Sequence, residues 1–235
     1  MLYLAYQQEG EARKRMIAYV LLALVSLVFW TLYQIAPIGL TTFAEYNVNR
    51  HFLGYVISPQ WIQNINPTII IFGGPLMTVL LSKIRKRGIS FSIPQQFSLS
   101  LFFIGGGFLL LSLGVHYAAQ DGLSGFNWIL WSYVLQSIGE LLIAPIGYAM
   151  VGQLAPASLI GIMMGTWMMV NGVGGVLSSY ASNWAVGNNL STSPLLTNGG
   201  YSHVFSYLGW GAVICGIGLC LFIPRLTRLI NEKAH

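Results

Sequence analysis

Charged residues are scarce in this chain. Only 7% of its 235 residues are Asp, Glu, Lys or Arg, whereas a typical soluble domain carries about 25%. The chain is 55% hydrophobic and its mean hydropathy is +0.66. A surface with so little charge cannot be solvated mainly by water, so the composition excludes an ordinary soluble protein. It predicts a protein whose solvent is mostly lipid.

Cysteine and recognisable catalytic motifs are also lacking. Cys215 and Cys220 are the only cysteines, and a spacing of five does not place them on one helix face. No disulfide framework, metal site or cofactor is expected from them. The sequence contains neither Gly-x-Ser-x-Gly nor His-Glu-x-x-His, which argues against an enzyme.

Long apolar runs are what the sequence has instead. Since about 20 apolar residues span a bilayer as a helix, each run is long enough to cross once. Backbone groups in lipid must be satisfied within the segment, and the runs lack the alternation of a membrane strand. We therefore predict an all-α membrane protein with six transmembrane helices. The runs are 16–44, 60–82, 94–117, 126–152, 158–187 and 203–224.

The basic residues predict how these helices cross the membrane. Ten of the eleven Lys and Arg fall in 1–15, 83–93 and 225–235, and only Arg50 falls between the other runs. Because they sit between apolar runs, they indicate topology and not a nucleic-acid surface. The positive-inside rule therefore predicts a multi-pass protein of the inner (plasma) membrane with both termini in the cytoplasm.

A division of the chain follows from this topology. A cytoplasmic segment at 1–15 precedes a bundle at 16–230, and a cytoplasmic tail at 231–235 follows it. The uncharged stretch 188–200 is rich in Gly, Ser, Thr and Asn and is predicted to be an external loop. Glycines at 105–107 and 172–175 lie inside apolar runs, where close helix packing is the expected role.

Glu140 is the only charged residue between positions 122 and 224. A charge at the centre of a membrane helix costs about 2.5–3.5 kcal/mol on insertion scales. Ser137 lies on the same helix face as Glu140. Pro145 follows on the same helix, and bent helices often line the substrate sites of transporters. Intramembrane carboxyl groups usually serve function. The alternative is a protonated Glu140 bonded to a neighbouring helix for structure alone.

Polar and aromatic side chains follow helical spacing in three further runs. Any one of these faces could serve only as a contact between helices. Four faces together, three of them beside prolines, indicate the wall of a binding cavity, where Trp and Tyr contact a ligand. The predicted site combines Ser137 and Glu140 with Trp30, Tyr33, Gln34, Asn66, Trp167 and Asn171.

Three stretches resemble a known family. "SIGELLIAPIGYAMVGQLAPASLIGIMMGTWMMVNGVGG" at 137–175 resembles the tenth and eleventh helices of the proton-dependent oligopeptide transporters, which belong to the major facilitator superfamily. "NINPTIII" at 64–71 and "FWTLYQIAPIGLTTFAEYNV" at 29–48 resemble their eighth and seventh helices. The resemblance covers essentially the whole chain. It implies that the six helices form the C-terminal bundle, helices 7–12, of a major facilitator fold.

The same resemblance implies roles for individual residues. Glu140 and Asn66 would contact the amino terminus of a peptide, while Trp167 and Trp30 would line side-chain pockets and the gate. Two departures are visible: Ala144 stands where many members have Ser, and Tyr33 precedes Gln34 where many have an acid. The family's Glu-x-x-Glu-Arg-Phe motif, which belongs to its first helix, does not occur in these residues.

Two functions from different classes follow. The first is symport of di- and tripeptides with protons, carried out by this half together with an N-terminal six-helix half. The second is an orphan half that does not transport, or a membrane interaction subunit. The expected partners are therefore peptides, protons, the N-terminal half and the lipid bilayer, without nucleic acid.

Overall fold

The computed structural model describes residues 2–52, 54–88, 91–186 and 191–230. Within these ranges, six helical segments are long and apolar enough to cross a membrane, and each overlaps one predicted run. The prediction of an all-α membrane protein with six spans is confirmed. The segments are Gly10–Asn47, Pro59–Lys86, Ile93–His116, Phe126–Leu154, Ala157–Ala185 and Pro194–Ile230. The predicted tail at 231–235 lies outside the described residues.

The helices and strands are numbered in chain order. The helices are α1 (Leu2–Gln7), α2 (Gly10–Tyr33), α3 (Thr41–Asn47), α4 (Pro59–Ile62), α5 (Ile65–Lys86), α6 (Ile93–His116), α7 (Phe126–Leu154), α8 (Ile160–Val186) and α9 (Pro194–Ile230). A π-helix at Ala36–Leu40 joins α2 to α3, and a 3-10 turn at Ala157–Leu159 precedes α8. The strands are β1 (Val48–Asn49), β2 (His51–Phe52), β3 (Tyr55–Val56) and β4 (Ser124–Gly125).

The apolar core lies where α2, α6, α7 and α9 meet. Phe29, Phe97, Phe108 and Phe205, which come from α2, α6 and α9, are completely buried there. In contrast, α5 has no buried residue and packs mainly against α7. One side of the bundle is therefore closed, whereas α5 stands at its edge with most of its surface uncovered.

Two membrane spans are interrupted, and both interruptions lie close to predicted site residues. The first span changes from α-helix to π-helix at Ala36–Leu40, which contains Pro37. The second breaks at residues 63–64, just before α5 begins. Helices α5 and α7 run on through Pro75 and Pro145, so the bend expected at Pro145 does not end its helix. A proline removes only one backbone hydrogen bond, which a long membrane helix tolerates.

The predicted loop at 188–200 is wrong over its second half, because α9 begins at Pro194. Proline suits the first turn of a helix, where its missing N–H group needs no partner. The polar residues that suggested a loop bond to other parts of the chain. Asn47 Nδ2 donates to Thr197 Oγ1 and to Asn198 Oδ1, at 2.8 Å each, and Asn198 Nδ2 donates to the Gly122 carbonyl at 2.7 Å.

Short strands add to this contact between loops. β1 pairs in parallel with β4, and β2 pairs antiparallel with β3. Each has two residues, so they leave the all-α class unchanged. The β1–β4 pair joins the end of the first span to the start of the fourth.

The two glycine clusters behave differently. A Cβ atom on Gly105 would lie 2.8 Å from the Gly209 carbonyl oxygen, and one on Gly107 would lie 3.1 Å from that of Ser132. Close helix packing is confirmed for these two. In the second cluster Gly174 packs against the Trp30 backbone, but no atom lies within 4 Å of a Cβ built on Gly172 or Gly175. Those two positions are open, so close packing does not explain them.

We expect Lys86 to face the cytoplasm and Gln120 to face the opposite side. Single cysteines at these exposed positions, in a background with Cys215 and Cys220 replaced by alanine, would be labelled with an impermeant maleimide. Position 120 should react in intact cells, and position 86 only after permeabilisation, because the positive-inside rule retains the basic segment in the cytoplasm. Labelling of position 86 from outside would contradict the topology.

Candidate functional site

Asn66 is the centre of a polar cluster that joins three spans. Its Nδ2 atom donates to Glu140 Oε2 at 2.9 Å and to Ser137 Oγ at 3.0 Å. Its Oδ1 atom accepts a longer hydrogen bond, at 3.4 Å, from the Tyr33 hydroxyl. Four of the predicted site residues, from α2, α5 and α7, therefore lie in contact in the fold.

Local structure explains how these side chains are positioned. Ser137 and Glu140 lie three residues apart on α7, and therefore on one face. Asn66 lies in the first turn of α5, directly after the break in the second span, and Tyr33 is the last residue of α2. The Ser137 hydroxyl donates to the Tyr133 carbonyl at 2.8 Å. This leaves its oxygen to accept from Asn66.

A second polar contact brings in α8. Gln34 Nε2 donates to Asn171 Oδ1 at 2.8 Å. Because Gln34 directly follows Tyr33, the end of α2 contacts α5 and α8 at once. The structure thus brings Gln34 and Asn171 together, although it separates this pair from the hydrogen bonds of the Asn66 cluster.

The two predicted tryptophans meet each other behind the cluster. Trp30 and Trp167 form an edge-to-face pair with ring centres 6.4 Å apart, and Trp167 also packs against Phe97 at 6.0 Å. Trp30 is 5% exposed and Trp167 is 2% exposed. In this structure they are core residues of the bundle. Trp30 contacts Tyr33 edge-to-face at 5.5 Å and so supports it from behind.

A polar cavity of about 240 Å³ lies beside the cluster and shares Tyr33 and Asn66 with it. Sequence reasoning left several of its residues out of the site, although Tyr133 lies seven positions before Glu140 on the same helix face. The Tyr133 hydroxyl is buried and has no hydrogen-bond partner in the structure. The remaining lining residues are Ala36, Gln63, Asn64, Pro67, Tyr133 and Gln136.

The charge of Glu140 has no counterpart nearby. Across the described ranges the only ion pair joins Arg15 to Glu11, at 3.8 Å, near the start of α2. Glu140 is half-buried, with an amide and a hydroxyl beside it. Such a carboxylate next to a polar cavity is suited to a cationic group that comes from a ligand.

Six apolar helices, with an uncompensated carboxyl group between α5 and α7, define a helical-bundle membrane protein with a polar site. The profile of the POT family matches residues 1–190, and the chain belongs to this family. It is 34% identical over 231 residues to dipeptide and tripeptide permease A of Escherichia coli, and 33% identical over 228 residues to that of Salmonella typhimurium.

Solved structures agree with the sequence relatives. The crystal structure of peptide transporter POT in complex with sulfate has 28% identity and a TM-score of 0.85, with 97% of this chain and 44% of that one covered. The chain is therefore a major facilitator-type bundle. The alignments to the two permeases include 97–98% of this chain, but this chain spans only about 45% of the length of each permease.

Proposed function

We propose that this chain is the C-terminal half of a proton-coupled symporter for di- and tripeptides in the bacterial inner membrane. The observation that carries the proposal is the Asn66–Glu140 hydrogen bond, which presents an uncompensated carboxylate and an amide at one place between α5 and α7. The relatives are dipeptide and tripeptide permeases, which supports the choice of substrate.

The amino terminus of a peptide fits the chemistry of this place. An ammonium group has three donors and no acceptor. The Glu140 carboxylate and Asn66 Oδ1 are both acceptors, and the bond that Asn66 Oδ1 receives from Tyr33 is long at 3.4 Å. An arriving ammonium group can therefore bind Glu140 and replace the weak Tyr33 contact without leaving a strong hydrogen bond broken.

Proton coupling follows from the same contact. A peptide ammonium group and a proton would occupy the same carboxyl group, so binding of one is linked to release of the other. No other charged residue between positions 122 and 224 is available for this exchange.

The other predicted residues have supporting places in this proposal. Gln34 and Asn171 join α2 to α8, and the Trp30–Trp167 pair holds the same helices from inside the bundle. A peptide side chain would enter the 240 Å³ cavity, whose walls are Tyr33, Gln63, Tyr133 and Gln136. The indole rings would form part of the support behind it and would not line its open surface.

Transport also needs a second six-helix bundle. Alternating access in this superfamily moves two halves about a central site. Helix α5 has no buried residue, and α8 exposes apolar side chains such as Met169, Val176 and Tyr180. We propose that the N-terminal half covers these faces. The alternative, an interaction subunit that does not transport, rests on the same exposed faces.

We expect the 235-residue chain to show no proton-driven uptake of dialanine in proteoliposomes by itself. Reconstitution with an N-terminal half taken from a relative should restore uptake that requires an inward proton gradient, because both walls of the site are then present. Uptake by the chain alone would contradict the need for a second half. Stable association of the halves without any uptake would favour the interaction subunit.

A further inference from the structure

A groove of about 730 Å³ lies between α5 and α7 and reaches the start of α6. Met77 and Leu81 of α5 and Leu141 and Ile146 of α7 contribute apolar wall. Arg85 and Lys86, at the end of α5, lie at its mouth. The volume is within the range of about 300–1,000 Å³ that is usual for ligand sites.

The groove faces away from the Asn66 cluster. Successive residues of an α-helix are rotated by about 100°, so Pro145 and Ala149 lie about 140° and 180° around α7 from Glu140. Both residues line the groove. The groove therefore opens on the side of α7 opposite to the proposed substrate site. In a membrane that side of the bundle is within reach of lipid.

Neutral polar groups in the groove already have partners. Thr78 Oγ1 donates to the Gly74 carbonyl at 2.9 Å and Ser82 Oγ to the Val79 carbonyl at 2.8 Å. Gln96 Nε2 donates to the Phe91 carbonyl at 3.2 Å. A hydrocarbon chain beside the Thr78 and Ser82 hydroxyls would leave neither donor unsatisfied, because each is bonded within α5.

The basic residues at the mouth are not balanced by acids. The lining residues that the structure describes include no carboxylate, and both Arg85 and Lys86 are exposed. An occupant must therefore be apolar along most of its length and negative at one end. Because positively charged segments remain in the cytoplasm, that negative end belongs to the cytoplasmic leaflet.

We propose that this groove binds an anionic phospholipid of the cytoplasmic leaflet. Its phosphate contacts Arg85 and Lys86, since guanidinium and ammonium groups both bind phosphate well. One acyl chain lies along Met77, Leu81 and Leu141. Basic pockets between membrane helices on the cytoplasmic side are suited to such head groups.

This occupant has a structural consequence for α5. That helix has no buried residue and packs mainly against α7. A lipid seated in the groove contacts both helices and fills the space between them at their cytoplasmic end. It therefore helps to hold α5 at the distance from α7 that the Asn66–Glu140 bond requires near the other end of α5.

The test is a titration of the purified chain, in neutral detergent, with dioleoyl phosphatidylglycerol, and bound lipids are counted by native mass spectrometry. Dioleoyl phosphatidylcholine has the same chains with a neutral head group, and glycerol phosphate has the head group without chains. The double variant Arg85→Gln/Lys86→Gln should bind phosphatidylglycerol about 30-fold more weakly, from about fivefold for each basic residue.

Two further variants keep the test specific. Lys83→Gln/Arg87→Gln removes the same charge from the same helix end, outside the groove lining, and should bind as the unchanged chain does. Ala149→Phe fills the groove from an exposed position and should displace the lipid while both basic residues remain. Equal losses in the two double variants would overturn the proposal in favour of diffuse attraction. Equal binding of both lipids, tight binding of glycerol phosphate, or normal binding by Ala149→Phe would overturn it as well.

Discussion

Glu140→Gln should weaken the binding of dipeptides with a free amino terminus by about 30- to 150-fold. The change keeps the shape of the side chain and its hydrogen bond from Asn66. It removes the charge that an ammonium group would contact, and it replaces one acceptor oxygen with an NH2 group that cannot accept a hydrogen bond. Hydrogen bonds to charged groups are worth about 1.5–3 kcal/mol, and a loss of about 2–3 kcal/mol corresponds to the expected range. The measurement is dialanine affinity in the two-half transporter.

Three comparisons make this result specific to the amino terminus. N-acetylated dialanine carries no ammonium group, so we expect it to bind more weakly than dialanine. Its affinity should change little when Glu140 is replaced by Gln. Glu45→Gln is a matched control, because Glu45 is exposed in α3 and is not part of the Asn66 cluster. Peptide binding should release protons from the unchanged protein and not from Glu140→Gln. If the variant preserves the ratio of free to acetylated affinities, Glu140 has only a structural role.

Gly147→Ala should destabilise the bundle by about 3 kcal/mol, at the upper end of the usual cost of overpacking. A Cβ atom on Gly147 would overlap Trp167 Cζ2, well inside contact distance. The indole cannot easily move away, because Trp30 and Phe97 pack against it. The expected decrease in melting temperature is about 6–12 °C for a chain of this size, measured by circular dichroism in detergent.

The same helix offers a control and a rescue. No atom lies within 4 Å of a Cβ built on Gly152, also in α7. Gly152→Ala should leave the melting temperature unchanged or raise it, because alanine favours helix by about 1 kcal/mol over glycine. Trp167→Leu should reduce the effect of Gly147→Ala in the double variant. Equal melting of Gly147→Ala and Gly152→Ala would contradict the contact.

The fold was largely predictable from particular residues, and the choice of site residues stays a prediction. Glu140 was identified by its isolation in an apolar chain, and Tyr33, Asn66 and Ser137 by helical spacing and neighbouring prolines. In the structure these four side chains lie in contact. The same reasoning failed at 194–200, since polar residues indicate a loop when the partners that satisfy them, Asn47 and Gly122, are distant in sequence.

What the sequence by itself determined is the class of structure. In lipid each span must satisfy its own backbone, so apolar length and basic flanks are local properties that can be counted along the chain. What only the tertiary structure decided depends on contacts between helices. A helical period shows which side chains share a face, but not which helix that face meets or how deeply it is buried. Packing therefore placed Trp30 and Trp167 in the core, made Asn66 the partner of Glu140, and opened the groove on the opposite side of α7.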